Sequence, residues 1–293
     1  MITGLHHVTA IAKDPKKNVE FYTQFLGLKL VKKTVNFDDP TTYHLYYGDE
    51  TGSPGSVLTF FPWPHTIRGR AGSGQATVTA FSVPAGSLDY WMARARENGV
   101  QVSAPAERFG DEEYITLRDP DNMALELVAS APAEGHRLRG FHSVTMMEWN
   151  LAPTAKMLSD LMNFRVVRER ANRTRFAAGG PGFVDVEVVP DQRRGSIGAG
   201  IVHHIAFRTP TEETQKTWHE KIAAAGISVS PIMDRNYFHS IYFREPGGVL
   251  FEIATDLPGF AVDEPVDQLG QNLKLPKWYE PRRKELEAVL PTL

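Results

Sequence analysis

Two short apolar runs, each carrying a pair of adjacent histidines, decide the fold of this chain: Gly4-Leu5-His6-His7-Val8-Thr9-Ala10 and Ile201-Val202-His203-His204-Ile205-Ala206-Phe207. Both runs are rich in apolar and β-branched residues, which predicts β-strands. A third run of this kind, Gly248-Val249-Leu250-Phe251-Glu252-Ile253, places one carboxylate among apolar neighbours. Because neighbouring side chains of a strand point to opposite faces, we expect one histidine of each pair to face a shared interior.

These runs predict a metal site with His7, His204 and Glu252 as its ligands. Two imidazoles and one carboxylate on converging strands would form a facial triad with open coordination positions. A single histidine on an apolar strand is more often a hydrogen-bonded core residue, but two equivalent doublets and a glutamate favour the metal. An unpaired Glu252 would cost several kcal/mol to bury as an ion, and a divalent cation removes that penalty.

The composition is that of an ordinary globular protein. Hydrophobic residues make up 42% and charged residues 23% of the 293 residues, and the net charge of −3 argues against a nucleic-acid or acidic-membrane partner. The absence of cysteine excludes disulfides and sulfur-ligated metals, which leaves the histidines as the main metal-capable groups. With no apolar run long enough to span a membrane and a strand beginning near Met1, we expect a cytoplasmic protein.

The chain repeats one β-α-β-β-β unit four times, which predicts an α+β fold. Units two and four share a constant offset of 126 residues, which aligns Phe81 with Phe207, Arg118 with Arg244 and Glu126 with Glu252. The predicted units are 4–62, 75–130, 140–190 and 201–257. We expect them to form an N-terminal half at 1–130 and a C-terminal half at 140–257, followed by an extension at 258–293.

The same repeat predicts which units share the site. The position of His7 in unit one is Ser143 in unit three, and the position of His204 in unit four is Val78 in unit two. Units that pair edge to edge curl into a half-barrel lined by their first and last strands. Pairing of units one and four, and of two and three, brings the triad together and is favoured. If units three and four paired instead, only His204 and Glu252 would meet, with Ser143 a poor third ligand. Glu126 has no histidine partner, and we expect it to be a rim or hydrogen-bonded carboxylate.

Further candidate site residues emerge where unit four has gained polar chemistry over unit two. Three ordinary residues of unit two are replaced by side chains typical of a substrate pocket: Phe109 by Arg235, Glu113 by His239 and Thr116 by Tyr242. Arg235 and Tyr242 could stabilise negative charge on oxygen, while His239 or His203 could act as general acid or base. His6, Thr9 and His203 are candidate outer-shell groups that orient the ligands. We expect His6 and His203 to face away from the ligands His7 and His204.

Two histidines and one carboxylate suit Fe(II) that binds a substrate and O2 side by side. Mn(II), Zn(II) and Ni(II) also fit this set of nitrogen and oxygen donors. A phenolic or chelating substrate would bind such a metal as an anion, so a nearby base or cation must manage its proton.

The chain resembles the vicinal-oxygen-chelate superfamily, which includes glyoxalase I, bleomycin-resistance proteins and extradiol dioxygenases. Its motifs Gly-Leu-His-His-Val-Thr (4–9), Val-His-His-Ile-Ala-Phe (202–207) and Leu-Phe-Glu-Ile (250–253) are similar to those of the hydroquinone-type ring-cleaving dioxygenases. The resemblance implies Fe(II) held by His7, His204 and Glu252, shared by units one and four. It also implies outer-shell roles for a further set of residues: His6, Thr9, His203, Arg235 and Tyr242.

The implied activity is O2-dependent cleavage of a hydroquinone or related phenolic ring, in aromatic degradation or quinone detoxification. Two alternatives stay open: a non-redox glyoxalase-like isomerase or thiol transferase, and a binding protein that sequesters a quinone or drug. Glyoxalase-type sites usually carry a second metal-binding glutamate, where this chain offers Thr59 and Phe60. Expected partners are a small aromatic molecule and O2. A homo-oligomer is compatible with the sequence, which leaves the number of copies open.

Overall fold

Sixteen β-strands and five short α-helices follow the four-unit order in a computed structural model that describes residues 1–293. Unit one contains β1 (Leu5–Ala12), α1 (Pro15–Val19), β2 (Lys29–Asn36), β3 (Asp39–Gly48) and β4 (Val57–Pro62). Unit two contains β5 (Gln75–Pro84), α2 (Leu88–Glu97), β6 (Ala106–Arg108), β7 (Glu112–Arg118) and β8 (Ala124–Ser130).

The second half of the chain repeats this order. Unit three contains β9 (Phe141–Glu148), α3 (Leu151–Lys156), β10 (Arg165–Arg170), β11 (Arg173–Ala177) and β12 (Phe183–Val188). Unit four contains β13 (Val202–Thr209), α4 (Glu212–Ala224), β14 (Met233–Asp234), β15 (His239–Arg244) and β16 (Leu250–Thr255). In units one and three the helix continues as a π-helical turn, Glu20–Phe25 and Met157–Leu161.

Side-chain caps explain where the helices begin. The Asp14 carboxylate accepts the Lys17 backbone N–H, and Pro15 occupies the first turn of α1. The Asn150 side chain accepts the Ala152 N–H in the same way at α3. At α4, Thr211 forms a capping box with Thr214. Units one, three and four therefore turn from the first strand into the helix at a residue that satisfies otherwise unpaired N–H groups, whereas Ser87 of unit two makes no such side-chain bond at α2.

The strands form two curled eight-stranded sheets, and each sheet combines two units. The first sheet has the order β14-β15-β16-β13-β1-β4-β3-β2 and the second the order β10-β11-β12-β9-β5-β8-β7-β6. In the first sheet β1 runs antiparallel to β13, with Val8 opposite Ile205. The predicted pairing of units one and four, and of two and three, is confirmed, so the partner of each terminal unit lies at the far end of the sequence.

One core joins the two sheets and holds the strands that carry the predicted ligands. A single cluster of 46 buried hydrophobic residues runs through both sheets and the helices packed on them. Trp91 of α2 and Trp218 of α4 are among its large side chains. β1, β13 and β16 lie side by side in the middle of the first sheet. The candidate ligands therefore sit on central strands that are paired on both edges.

After β16 the chain forms an extension along the first sheet. It contains three short 3-10 turns, Phe260–Val262, Val266–Gln268 and Glu280–Arg282, and ends in α5 (Arg283–Val289). Leu275, Leu286 and Leu290 of the extension pack on Val35 of β2. None of the helices is long and apolar enough to cross a membrane.

Candidate metal centre

Three side chains from neighbouring strands converge in the concave face of the first sheet. The Nε2 atom of His204 lies 2.9 Å from Oε2 of Glu252, and Nε2 of His7 lies 3.3 Å from the same oxygen. The two Nε2 atoms are 3.4 Å apart. All three residues are buried, and one ligand atom from each lies within 4.8 Å of the others. The structure thus brings together the three residues that the sequence predicts.

The donor set fits a divalent cation. Oε2 of Glu252 is buried and accepts no hydrogen bond, and the Nε2 atoms of His7 and His204 lie beside it. Burial alone would raise the pKa of Glu252, but the adjacent His7 and His204 hold this pKa well below its ordinary value. A carboxylate kept ionised in a buried place needs a positive partner. A metal ion such as Fe(II), Mn(II) or Zn(II), bound by the two imidazoles and the carboxylate, would be that positive partner.

A β-bulge at each histidine pair changes the expected side-chain pattern. In the β1–β13 ladder His7 pairs with Ala206 directly after Leu5 pairs with Phe207, so His6 is an extra residue. His203 is the extra residue on β13. An extra residue interrupts strict alternation and re-aims the side chains beside it. The prediction that His6 and His203 face away from the ligands is therefore wrong, because each imidazole contacts its neighbour.

The contact of His6 with His7 fixes a tautomer that leaves the ligand nitrogen free. Nε2 of His6 lies 3.1 Å from the carbonyl oxygen of Thr255, which can only accept a hydrogen bond. Nδ1 of His6 must then accept from Nδ1 of His7 over 2.9 Å. Burial, followed by the charge of His7, lowers the pKa of His6 to about 3. His6 is therefore a neutral acceptor that presents the Nε2 lone pair of His7 to the site.

His203 makes the same contact with His204 but ends in the cavity. Its Nδ1 lies 2.8 Å from Nδ1 of His204, and its ring meets the edge of Phe61 at 5.7 Å between centroids. Burial, followed by the charge of His204, lowers the pKa of His203 to about 3. If His204 donates from Nδ1, His203 carries its own hydrogen on Nε2, which has no protein partner. The two doublets therefore differ: Nε2 of His6 bonds to a backbone carbonyl, whereas the His203 side chain lines the cavity.

The triad opens into a cavity of about 410 Å³. Most of its aromatic and apolar lining residues form what is here called the aromatic wall: Phe37, His44, Tyr46, Phe61, Trp63, Phe238 and Leu250. Asn36, Asp38 and Asp39 also line the cavity, at the β2–β3 turn that carries Phe37. A planar ring with polar substituents matches this combination of aromatic and polar lining.

Arg235 and Tyr242 lie at the cavity as predicted and contact each other. Tyr242 stands opposite Glu252 in the β15–β16 ladder, and its hydroxyl lies 3.1 Å from Nε of Arg235. Asp38 binds the two Nη atoms of Arg235 at 3.2 and 2.9 Å. Burial, with Glu252 next, raises the pKa of Tyr242, so its hydroxyl keeps its proton. These groups can donate hydrogen bonds to an anionic oxygen.

The structure places His239 outside the site, which contradicts its predicted role as acid or base. Its Nδ1 lies 3.2 Å from Glu212 of α4, and it does not line the cavity. His239 and Tyr242 are three residues apart on one strand, so they point to opposite faces. Ser240 faces the site instead, and its hydroxyl donates to Oε1 of Glu252 at 2.5 Å. The alternation along β15 could have shown this from sequence.

Sequence reasoning also missed His44, which lies on the cavity wall. Its Nδ1 is 2.7 Å from the Tyr46 hydroxyl, and its Nε2 is 2.8 Å from Thr59 Oγ1. Thr59 continues this chain of hydrogen bonds to Thr9, 2.8 Å away. Burial, then the charges of the two triad histidines, holds the pKa of His44 well below its ordinary value. The predicted outer-shell residue Thr9 is thus tied to β3 and β4.

The second sheet keeps the glutamate but not the metal ligands. Arg108 places Nη1 2.5 Å from Oε2 of Glu126 and Nη2 3.5 Å from the Ser143 hydroxyl. Of the two expected roles of Glu126, rim or hydrogen-bonded carboxylate, the second is confirmed, since Glu126 is 6% exposed and accepts from Arg108. A guanidinium therefore supplies the positive charge at the position equivalent to the candidate metal centre.

Comparison with known proteins agrees with this architecture. The model of the Glyoxalase/Bleomycin resistance protein/Dioxygenase superfamily matches residues 4–127 and 140–253. MhqO of Bacillus subtilis (strain 168), provisionally named a ring-cleaving dioxygenase, is 42% identical over 98% of this chain and 95% of its own length. Chlorohydroquinone/hydroquinone 1,2-dioxygenase of Sphingobium indicum is 33% identical over 97% of this chain and 95% of its own length.

Solved structures show the same fold. The crystal structure of a Bacillus subtilis protein, provisionally described as a dioxygenase, has a TM-score of 0.95 and 42% identity, covering 100% of this chain and 97% of that one. Glyoxalase I from Zea mays has a TM-score of 0.66 at 14% identity, covering 86% of this chain and 92% of that one, and shares the fold alone. The chain therefore belongs to the glyoxalase/bleomycin resistance protein/dioxygenase superfamily, and the resemblance seen in its histidine and glutamate motifs is confirmed.

Proposed function

We propose that this protein is an Fe(II)-dependent dioxygenase that cleaves the ring of a hydroquinone or related phenol with O2. One observation carries the proposal: the buried triad of His7, His204 and Glu252 opens directly onto an aromatic-lined cavity. The full-length likeness to a hydroquinone 1,2-dioxygenase supports the choice of substrate class. The ring-cleaving names of further relatives support the reaction class.

His7, His204 and Glu252 would hold the metal. Bound Fe(II) supplies a redox centre that lets O2 react with an electron-rich ring. The protein keeps the three ligand atoms in place through hydrogen bonds to their far sides. His6 orients His7, His203 contacts His204, and Ser240 binds the carboxylate. Such contacts fix the tautomer and direction of metal ligands.

The polar groups that line the cavity would receive the phenolic oxygen. Arg235 and Tyr242 present donors to an oxygen that becomes negative when the phenol loses its proton. His203, as a neutral imidazole with hydrogen on Nε2, can hold a hydrogen bond toward the same substrate. Phe37, Phe61 and Trp63 line the cavity and would pack against the ring, which would exclude water from it.

The position of Thr59 argues against the glyoxalase-like alternative. A fourth protein ligand from β4 would have to come from Thr59 or its neighbour Phe60. Thr59 is instead hydrogen-bonded to Thr9 and His44, and Phe60 is buried in the core. No observation on this chain favours a metal-free quinone-binding protein over an enzyme, because such a protein would not need the three converging ligands.

Anaerobic loading with Fe(II), followed by O2 uptake on hydroquinone, methylhydroquinone and catechol, tests the proposal. We expect O2 consumption equimolar with ring loss on a hydroquinone, together with both oxygen atoms in the product. His7→Ala should lose the iron and the uptake, whereas His239→Ala should keep both. Activity on a non-phenolic substrate with Zn(II) or Ni(II), without uptake on any phenol, would show that the proposal is wrong.

A further inference from the structure

The extension after β16 follows the outer edge of β2. The Lys29 ammonium donates to the carbonyl of Val266 at 2.9 Å. Further along, the Lys274 N–H donates to the carbonyl of Lys33 at 2.9 Å, next to a β-bridge between Lys33 and Leu273. The extension therefore covers a sheet edge that would otherwise expose unpaired backbone groups.

The end of the extension fastens the tip of the β2–β3 hairpin. The Tyr279 hydroxyl donates to the carbonyl oxygen of Phe37 at 2.9 Å. The ring of Trp278 meets the ring of Phe37 edge-on, with 5.6 Å between centroids. Val35, just before the tip, packs on Leu286 of α5 and on Leu290 directly after it. These contacts hold the tip at Phe37 and the end of β2 at Val35.

The same hairpin tip forms one wall of the cavity. Phe37, Asp38 and Asp39 all line it. Asp38 is exposed, yet it binds both Nη atoms of Arg235, which in turn contacts Tyr242. Asp39 accepts from the indole N–H of Trp63 at 3.2 Å, on the aromatic wall. The position of the tip therefore fixes the hydrogen-bond donors Arg235 and Tyr242 and the aromatic wall at Trp63.

The second sheet provides an internal comparison. Its equivalent edge strand, β10, has no extension beside it, and five of its six residues are exposed. In β2 the burial is the reverse, with five of eight residues buried. The covered edge belongs to the sheet that holds the triad, and the bare edge to the sheet where Arg108 replaces the metal.

We propose that the extension, through Trp278 and Tyr279, is a positioning element for the substrate of the candidate active site. It holds residues 36–39 so that Asp38 keeps Arg235 beside Tyr242 and Phe37 walls the cavity. It does not hold the metal, because none of its residues contacts the triad. The expected effect on KM rests on the proposed function, whereas the fastening of residues 36–39 does not.

Tyr279→Phe, Trp278→Ala and the double variant test the proposal in the iron-loaded full chain. Losing one hydrogen bond and one aromatic contact should raise KM for hydroquinone about three- to tenfold, with kcat, iron content and melting temperature nearly unchanged. Asp38→Asn should raise KM similarly, and its effect should not multiply with that of Trp278→Ala, because both act through the tip. Arg282→Ala, which breaks an exposed ion pair with Glu285 on the same extension, is the matched control.

Hydrogen–deuterium exchange provides a readout that does not depend on activity. Exchange in residues 34–42 should rise in the Trp278→Ala and Tyr279→Phe proteins and stay unchanged in Arg282→Ala. Unchanged exchange, a loss of iron, or multiplying effects of Asp38→Asn and Trp278→Ala would each overturn the inference. If wild type consumes no O2 but exchange rises as expected, the proposed function fails while the fastening of the tip stands. If wild type is active and the variants keep its KM, the inference fails alone.

Discussion

Ser240→Ala should weaken metal binding without disturbing the fold. The Ser240 hydroxyl is the donor to Oε1 of the Glu252 carboxylate, at 2.5 Å in a fully buried place. Oε2 already has no donor, so the substitution leaves both carboxylate oxygens without one. A hydrogen bond to a charged group contributes about 1.5–3 kcal/mol. This corresponds to a rise of about 10- to 100-fold in the metal dissociation constant, a range typical of partners behind metal ligands.

Anaerobic chelator competition with Fe(II), and with Co(II) as a redox-stable probe, measures this constant directly. Ser130→Ala is the matched control, because its hydroxyl donates to the carbonyl of Val83 at 3.0 Å in the second sheet. The control should bind metal like wild type. A dissociation constant unchanged in Ser240→Ala, or equally weakened in both variants, would refute the role of this hydroxyl. So would a large drop in the melting temperature of the metal-free variant.

Three further substitutions test two buried charged groups and the placement of His239. Arg108→Met should lower the free energy of unfolding by about 3–5 kcal/mol, measured by urea denaturation, because Glu126 stays buried without its cation. Burial and the charge of Glu245 raise the pKa of Glu148. At a pH between the ordinary pKa of glutamate and this raised pKa, Glu148 therefore keeps its proton in the folded chain and loses it in the unfolded chain. Stability should therefore fall as pH rises from that ordinary value toward the raised one, and Glu148→Gln should remove this slope in melts between pH 5 and pH 9. His239→Ala should keep O2 uptake within about twofold of wild type, since the residue lies outside the cavity; a tenfold loss would contradict that placement.

The unit pairing and the triad could be predicted from sequence because the four repeated units of the chain can be compared with one another. His7 and His204 survive in units one and four, and only the pairing of those units brings them to Glu252. The bulges could not be predicted in this way. Strict alternation assumes one residue opposite one residue, and the extra residues His6 and His203 become visible only in the register between β1 and β13.

Contacts between distant segments account for the other omissions. Asp38 is an ordinary turn residue in sequence, and its bond to Arg235 depends on a separation of 197 residues closed by the pairing of units one and four. His44 lies on a strand with mixed burial, where nothing local distinguishes a cavity wall from a surface. His239 is different, since its three-residue distance from Tyr242 already assigns it to the other face.

The two sheets together explain why a cation is needed at the first one. Glu126 and Glu252 occupy equivalent places and are both buried, and a buried carboxylate without a positive partner is strongly unfavourable. In the second sheet Arg108 meets this need from within the chain. In the first sheet only His7 and His204 approach Glu252 as possible cations, while Arg235 is turned toward Asp38 and Tyr242. The Nε2 atoms of His7 and His204 and the Glu252 carboxylate converge, so the three groups can share one metal ion. Arg108 is thus a fixed internal cation in the second sheet, and the proposed metal ion would take the equivalent place in the first sheet.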